Sequence, residues 1–123
     1  MQIALTVRPY WAWLVVNGYK DIENRSWPTR LRGCICIHAS SSRVTRAEYE
    51  HFLAICRQRR IKQFPERDGF QTGGIVGSVK IVDCVNRSRS LWFGGPYGFV
   101  LSNARKTRFK PMKGRLGFFT VQA

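Results

Sequence analysis

The spacing of apolar positions changes several times along the chain, and each change predicts an element. Ile3-Ala4-Leu5-Thr6-Val7 is short, alternating and rich in β-formers, the pattern of a strand. An apolar stretch, Tyr10 to Val16, follows almost at once. Pro9 suits the first turn of a helix, where its missing N–H would have no partner, and Gly18 suits a left-handed stop. Trp11, Leu14 and Val15 share one face of that helix, and nearly every other position is apolar too, so most of it should be buried. The polar run Gly18-Tyr19-Lys20-Asp21-Ile22-Glu23-Asn24-Arg25-Ser26-Trp27 then reads as irregular chain leaving a helix C-terminus, punctuated by Pro28 and Gly33.

Cys34–His38 reads as the next strand, and Ser40–Arg43 as a polar loop. Thr45 and Glu48 stand at capping-box spacing, each able to bond the other's free backbone N–H. The helix they open carries Tyr49, Phe52, Leu53 and Cys56 on one stripe, with Arg57, Arg59 and Arg60 near the end that favours positive charge. Lys62–Thr72, with Pro65 and Gly69, predicts an exposed loop. Gly73-Gly74 introduces Ile75–Val85, whose Val and Ile content predicts a central strand. Asn86–Pro96 is a second loop, turning at Gly94-Gly95-Pro96. Tyr97–Leu101, Thr107–Phe109 and Leu116–Val121 supply the remaining strands. About six strands with two helices inserted early predict an α+β fold, a small and mostly antiparallel β-barrel with the helices packed on one side.

At 123 residues the chain is expected to be one domain, 1–123, large enough to close a core without staples. No apolar run approaches the roughly 20 residues that span a bilayer, and no charged leader precedes a cleavage site. A cytoplasmic monomer with no membrane partner is the expectation. Cys34, Cys36, Cys56 and Cys84 sit in apolar surroundings with no C-x-x-C pair, as reduced core thiols do. Strand alternation would align Cys34, Cys36 and His38 as zinc ligands. Such a site wants a fourth ligand and a turn between neighbours, so a buried strand face is the preferred reading and no metal or cofactor is expected.

Charge changes the picture most. The formal net charge is +14, arginines outnumber lysines more than two to one, and no acid follows Asp83. A field of this sign attracts polyanions, and guanidinium groups bond phosphates with two parallel donors. Nucleic acid is therefore the expected partner, ahead of a merely soluble basic surface or an acidic protein.

Several motifs run in order through the chain: Trp11-Ala12-Trp13-Leu14; Gly18-x-Lys20-x-x-Glu23-x-Arg25-Ser26-Trp27; Thr29; Arg32-Gly33; and Ile37-His38-Ala39-Ser40. Gly73-Gly74-Ile75-Val76-Gly77, Trp92-Phe93-Gly94-Gly95-Pro96-Tyr97-Gly98-Phe99 and Lys113-Gly114-x-Leu116-Gly117 complete the series. Together they resemble the activating-signal-cointegrator homology domain, or ASCH domain, over essentially the whole chain. The resemblance implies a PUA-like pseudo-barrel, a fold that binds RNA in other members. One departure is Pro9-Tyr10, where similar relatives carry Gln-Pro before the first tryptophan; any ligand contact by that glutamine is lost or replaced here.

The resemblance also implies a cleft beside Gly18–Trp27, with a nucleotide or nucleic acid as ligand. Lys20, Arg25, Arg30 and Arg32 would meet phosphates, and Arg105, Lys106, Arg108 and Lys110 would extend the cationic surface. Trp11, Trp27 and Trp92 offer faces for an unpaired base, an interaction worth about 1–3 kcal/mol, whereas Trp13 reads as core. Asn24 and Ser26 can read a base edge or a ribose hydroxyl. The alternative is hydrolysis, since some bacterial ASCH relatives deacetylate acetylated cytidine with a lysine, a threonine three positions later and a downstream glutamate, and others are proposed to cleave RNA. Lys20 matches the lysine, but Glu23 replaces the threonine and no later acid exists. Lys20 and Glu23 are the catalytic candidates on that reading, with a modified nucleotide or RNA as substrate. Asp21 and Glu23 should hold Lys20 protonated unless desolvation or nearby arginines win. Tyr19 and His38 are possible helpers, though a structural hydrogen bond is the commoner fate of a strand histidine. The preferred reading is a nucleic-acid-binding module for single-stranded or locally opened segments.

Overall fold

The computed structural model describes residues 2–122. The elements in order are strand β1 (Gln2–Val7), helix α1 (Pro9–Val16), strands β2 (Ile22–Arg25) and β3 (Gly33–Ala39), helix α2 (Arg46–Arg59), and strands β4 (Gly74–Val85), β5 (Tyr97–Pro111) and β6 (Phe118–Val121). The strands make one six-stranded sheet in the order β2-β5-β4-β3-β1-β6. Only β1 and β3 pair in parallel, and the long connection this requires runs through α1; every other neighbouring pair is antiparallel. α1 packs on β3, β4 and β5, and α2 packs on α1. The α+β arrangement of six strands with two helices on one side is the one the hydrophobic pattern predicts.

The barrel is rolled but not closed. β2 and β6 are the sheet edges and do not pair with each other. Were the sheet flat, β2 and β1 would lie about 19 Å apart, four strand spacings. The Arg25 guanidinium at the end of β2 nevertheless donates to the Thr6 carbonyl of β1 at 2.8 Å. Trp27, just past β2, meets the Phe118 ring of β6 with centroids 5.4 Å apart. Side chains, not backbone hydrogen bonds, bridge the seam.

Two elements differ from the pattern. Ile22–Arg25 lies within the run expected to be irregular, yet it pairs antiparallel with Tyr97–Val100. Polar side chains at Glu23, Asn24 and Arg25 hide a strand that backbone pairing makes. Tyr97–Leu101 and Thr107–Phe109, read as two strands, are parts of one 15-residue strand. The register of β5 against β4 shifts at several points, and Asn103 adopts a φ of 51°; these irregularities interrupt the alternation that would have joined the two halves.

The helix termini follow the sequence closely. α1 buries Pro9, Tyr10, Ala12, Leu14, Val15 and Val16, and Gly18 ends it at a φ of 82°, a conformation that costs glycine little. α2 opens on the Thr45–Glu48 capping box, which Arg8 joins by donating through Nε to Glu48 at 2.7 Å. Chiefly through that guanidinium, the Glu48 carboxyl falls from its ordinary 4.5 to about 2. A carboxylate depressed on folding contributes stability that is complete above its unfolded value and lost as pH falls towards the folded one. Urea midpoints measured from pH 6 to about 2 should therefore drop more steeply for the wild type than for Glu48→Gln. Parallel curves would contradict this role. Among the described residues, no helix is long and apolar enough to cross a membrane.

Candidate nucleic-acid interface

The seam of the rolled sheet opens into a cleft of about 430 Å³ lined by Thr6, Val7, Arg8, Trp11, Glu23, Asn24, Arg25, Ser26, Trp27 and Ser40. Its position follows from the topology: β2 and β1 approach from opposite ends of the strand order without pairing, so a gap stays between them. α1 roofs one side with Trp11, and the turn after β2 supplies Trp27. Thr6 is fixed on the wall. Its carbonyl accepts from Arg25, and its hydroxyl meets His38 Nδ1 at 3.1 Å.

Beneath the cleft lies a line of three charges. The stop at Gly18 turns the chain so that the backbone N–H groups of Tyr19 and Lys20 both bond the Leu14 carbonyl, and the Lys20 side chain enters the interior. Lys20 is only 5% exposed. Its ammonium donates to the Ile22 carbonyl and to Glu23 Oε1 at 3.3 Å, and lies 5.2 Å from the centre of the Trp11 ring. The other Glu23 oxygen accepts from Arg25 Nε at 3.0 Å. Glu23 and Arg25 are two apart on β2 and so share a face. One carboxylate thus bridges two cations, and the floor keeps a net positive charge. Burial pushes Lys20 below its ordinary pKa against the opposing pull of Glu23, so desolvation wins the contest the sequence left open.

The placement corrects several expectations. Lys20 does not line the cleft: it borders a separate hollow of about 110 Å³ with Val79 and Leu101 and touches two residues of the cleft wall, Trp11 and Glu23. Asn24 lines the cleft, but its side chain is largely occupied. It donates to the Trp92 carbonyl at 2.9 Å and accepts from Gly94 and Gly95 N–H at 2.8 and 3.2 Å, pinning the Asn86–Pro96 loop. Trp92 lies under the Arg59 guanidinium at 4.1 Å and is absent from the cleft wall. Trp13 packs on Tyr19 and Phe52 beside a different hollow, beyond α1. Trp11, Glu23, Asn24, Arg25, Ser26 and Trp27 are the expected residues that the cleft does bring together. Arg30 and Arg32 are exposed in the segment after Trp27, Arg32 donating to the Thr29 and Leu31 carbonyls.

The basic run on β5 does not join them. Gly98 and Tyr97 stand opposite Asn24 and Arg25, whereas Arg105 and Lys106 pair with Ser78 and Gly77 farther along. Seven residues of extended chain between Gly98 and Arg105 span roughly 23 Å. Lys106 lines the hollow beside Trp13, while Lys110 reaches the Gln122 carbonyl at 2.6 Å, and Arg108 is exposed between them. The cationic residues therefore occupy at least two separate surfaces rather than one hollow. His38 is held at both ring nitrogens: Nε2 donates to the Met112 carbonyl, which can only accept, at 2.7 Å, and Nδ1 shares a hydrogen bond with the Thr6 hydroxyl. Cys36 donates to Gln2 and Cys34 is exposed; Cys36 and His38 share a face beside Phe119, opposite Ile35 and Ile37 in the main core.

Sequence reading missed Thr6, Val7, Arg8 and the cleft role of Ser40. Only the abrupt step from an apolar strand to Arg8-Pro9 hinted that the chain there turns outward.

The model of the ASCH domain matches residues 5–97, which include every residue of the cleft wall and exclude the basic half of β5. Activating signal cointegrator 1 of Homo sapiens is 29% identical over 119 residues, covering 89% of this chain and 20% of that protein. Activating signal cointegrator 1 of Mus musculus is 32% identical over 85 residues, covering 69% of this chain and 15% of that protein. The chain spans a fifth or less of the length of these curated relatives.

Proposed function

The chain belongs to the ASCH-domain family, and from that premise we propose that it is a nucleic-acid-binding module, a single unit acting as a monomer, whose seam cleft takes one unpaired nucleotide. The observation that carries this reading is the pairing of Trp11 and Trp27 on a wall whose floor is the Glu23–Arg25 pair. A base stacks on an indole whatever its identity. Ser26 and Ser40 offer hydroxyls that can donate or accept to the sugar or base. Arg25 presents the remaining edge of its guanidinium, since only Nε and Nη2 are bonded among the described residues. Arg30 and Arg32 carry the strand's phosphates past the mouth. The net charge of +14 draws the polymer in.

The direct test is fluorescence anisotropy with labelled single-stranded RNA and DNA at two salt concentrations. Log affinity should fall with log salt with a slope of about −2 or steeper, three phosphate contacts' worth. Arg30→Ala with Arg32→Ala should flatten that slope by about 1.4. Binding that ignores salt and polymer alike would reject the proposal and favour an acidic protein partner.

A hydrolytic reading, on a modified nucleoside or RNA, has one observation in its favour: burial lowers the pKa of Lys20, as a general base requires. The geometry weighs against it, because the ammonium is directed at Ile22 and Glu23 and does not line the cleft. Acetylated cytidine and RNA incubated with the protein should therefore be recovered unchanged.

A further inference from the structure

We infer that Leu116 is a wedge that holds a duplex open while a nucleotide is extruded from it into the seam cleft; the inference rests on the cleft reading above and names its substrate as a locally opened duplex. Leu116 is 99% exposed, the most exposed of the large apolar side chains among the described residues. A lone exposed leucine is ordinary, but this one has a defined place. The segment that carries it is held at both ends to the cleft wall. At Gly114 the backbone passes so close that an added Cβ would lie 2.7 Å from Thr6 Oγ1 and from the His38 ring. At the other end the Phe118 ring meets Trp27. Leu116 is two residues from each anchor, so its Cα is within about 8 Å of both, close to the Thr6 and Trp27 sides of the cleft though not itself part of its lining. Gly117, at a φ of 63°, bends the chain directly after it.

The charges that precede it fit a polyanion. Lys113 and Arg115 are exposed on the same segment, and no acid occurs in the chain after Asp83. An apolar side chain directly after two cations, near a cleft walled by two indoles, has the composition of a groove-inserting element: the cations hold phosphates while the apolar tip takes the space a displaced base leaves. Without that tip the vacated stack would collapse and expel the nucleotide from the cleft. The residue has no packing partner to lose, so its replacement should leave the fold intact.

The experiment compares three oligonucleotides, made as DNA and as RNA: a single strand, the fully paired duplex, and that duplex with one bulged nucleotide already outside the stack. Affinities are measured for the wild type, Leu116→Ala and Leu116→Met. Leu116→Ala should weaken binding to the paired duplex about tenfold in the polymer the wild type prefers, and Leu116→Met should largely restore it. The single strand and the bulged duplex, which need no opening, should bind all three proteins within about twofold of one another. The wedge is overturned if the wild type ignores the paired duplex, if Leu116→Ala binds it as the wild type does, or if all three ligands weaken together. Loss of single-strand binding by the wild type itself would reject the cleft, a different failure and separately visible.

Discussion

Glu23→Ala is expected to destabilise the protein by on the order of 3–5 kcal/mol, the range for removing one partner from a buried ion pair. Glu23 is 8% exposed and sits between Lys20 and Arg25. Its loss leaves the Lys20 ammonium with only the Ile22 carbonyl and the Trp11 ring for company, and frees Arg25 from half of its anchoring. For a chain of this size the melting temperature should fall by roughly 10–20 °C. Lys20→Met should cost far less, because the carboxylate keeps Arg25 and a flexible apolar side chain fills the buried channel. This asymmetry is the informative part: thermal melts that rank Lys20→Met below Glu23→Ala would mean the bridge does not organise the floor as its geometry indicates.

Trp11→Ala is expected to weaken single-strand binding by about 5–150-fold, the equivalent of one lost base–aromatic stack of 1–3 kcal/mol. The salt slope should stay where it was, because stacking releases no counterions. Trp13→Ala is the control from the same helix. Its indole lies against Tyr19 and Phe52 rather than in the cleft, so it should lower the melting temperature and leave affinity within about twofold. Equal losses of affinity in the two variants would show that the effect is one of fold, not of contact.

Legibility in the sequence tracked the kind of force that decides each feature. Where local chemistry decides, reading succeeded: Thr45 and Glu48 do cap α2, Gly18 does end α1, and the Val- and Ile-rich run is an interior strand. Where long-range pairing decides, it did not. Glu23, Asn24 and Arg25 look like loop residues, and only their registration against Tyr97–Phe99 makes them a strand. The place of the cleft was legible through the family resemblance, which implied it beside Gly18–Trp27. Which of the cations there would be buried was not, for nothing local distinguishes Lys20 from Arg25. The far wall, Thr6 to Arg8, comes from a strand four places away in the sheet and carries no marker of its own. Charge count was the least faithful guide, because an excess spread over a sequence does not say which surface it occupies; β5 alone sends Lys106 and Lys110 to different ones.

The four tryptophans allow the central claim to be tested in one spectrum. In a proton–nitrogen correlation map of labelled protein, each indole N–H gives its own peak, and an unlabelled single-stranded oligonucleotide is titrated in. The peaks of Trp11 and Trp27 should move in step with saturation, while those of Trp13 and Trp92, held by Phe52 and Arg59 outside the cleft, stay close to their starting positions. Movement confined to Trp13 or Trp92, with Trp11 and Trp27 unmoved at saturation, would place the nucleotide elsewhere and contradict the claim.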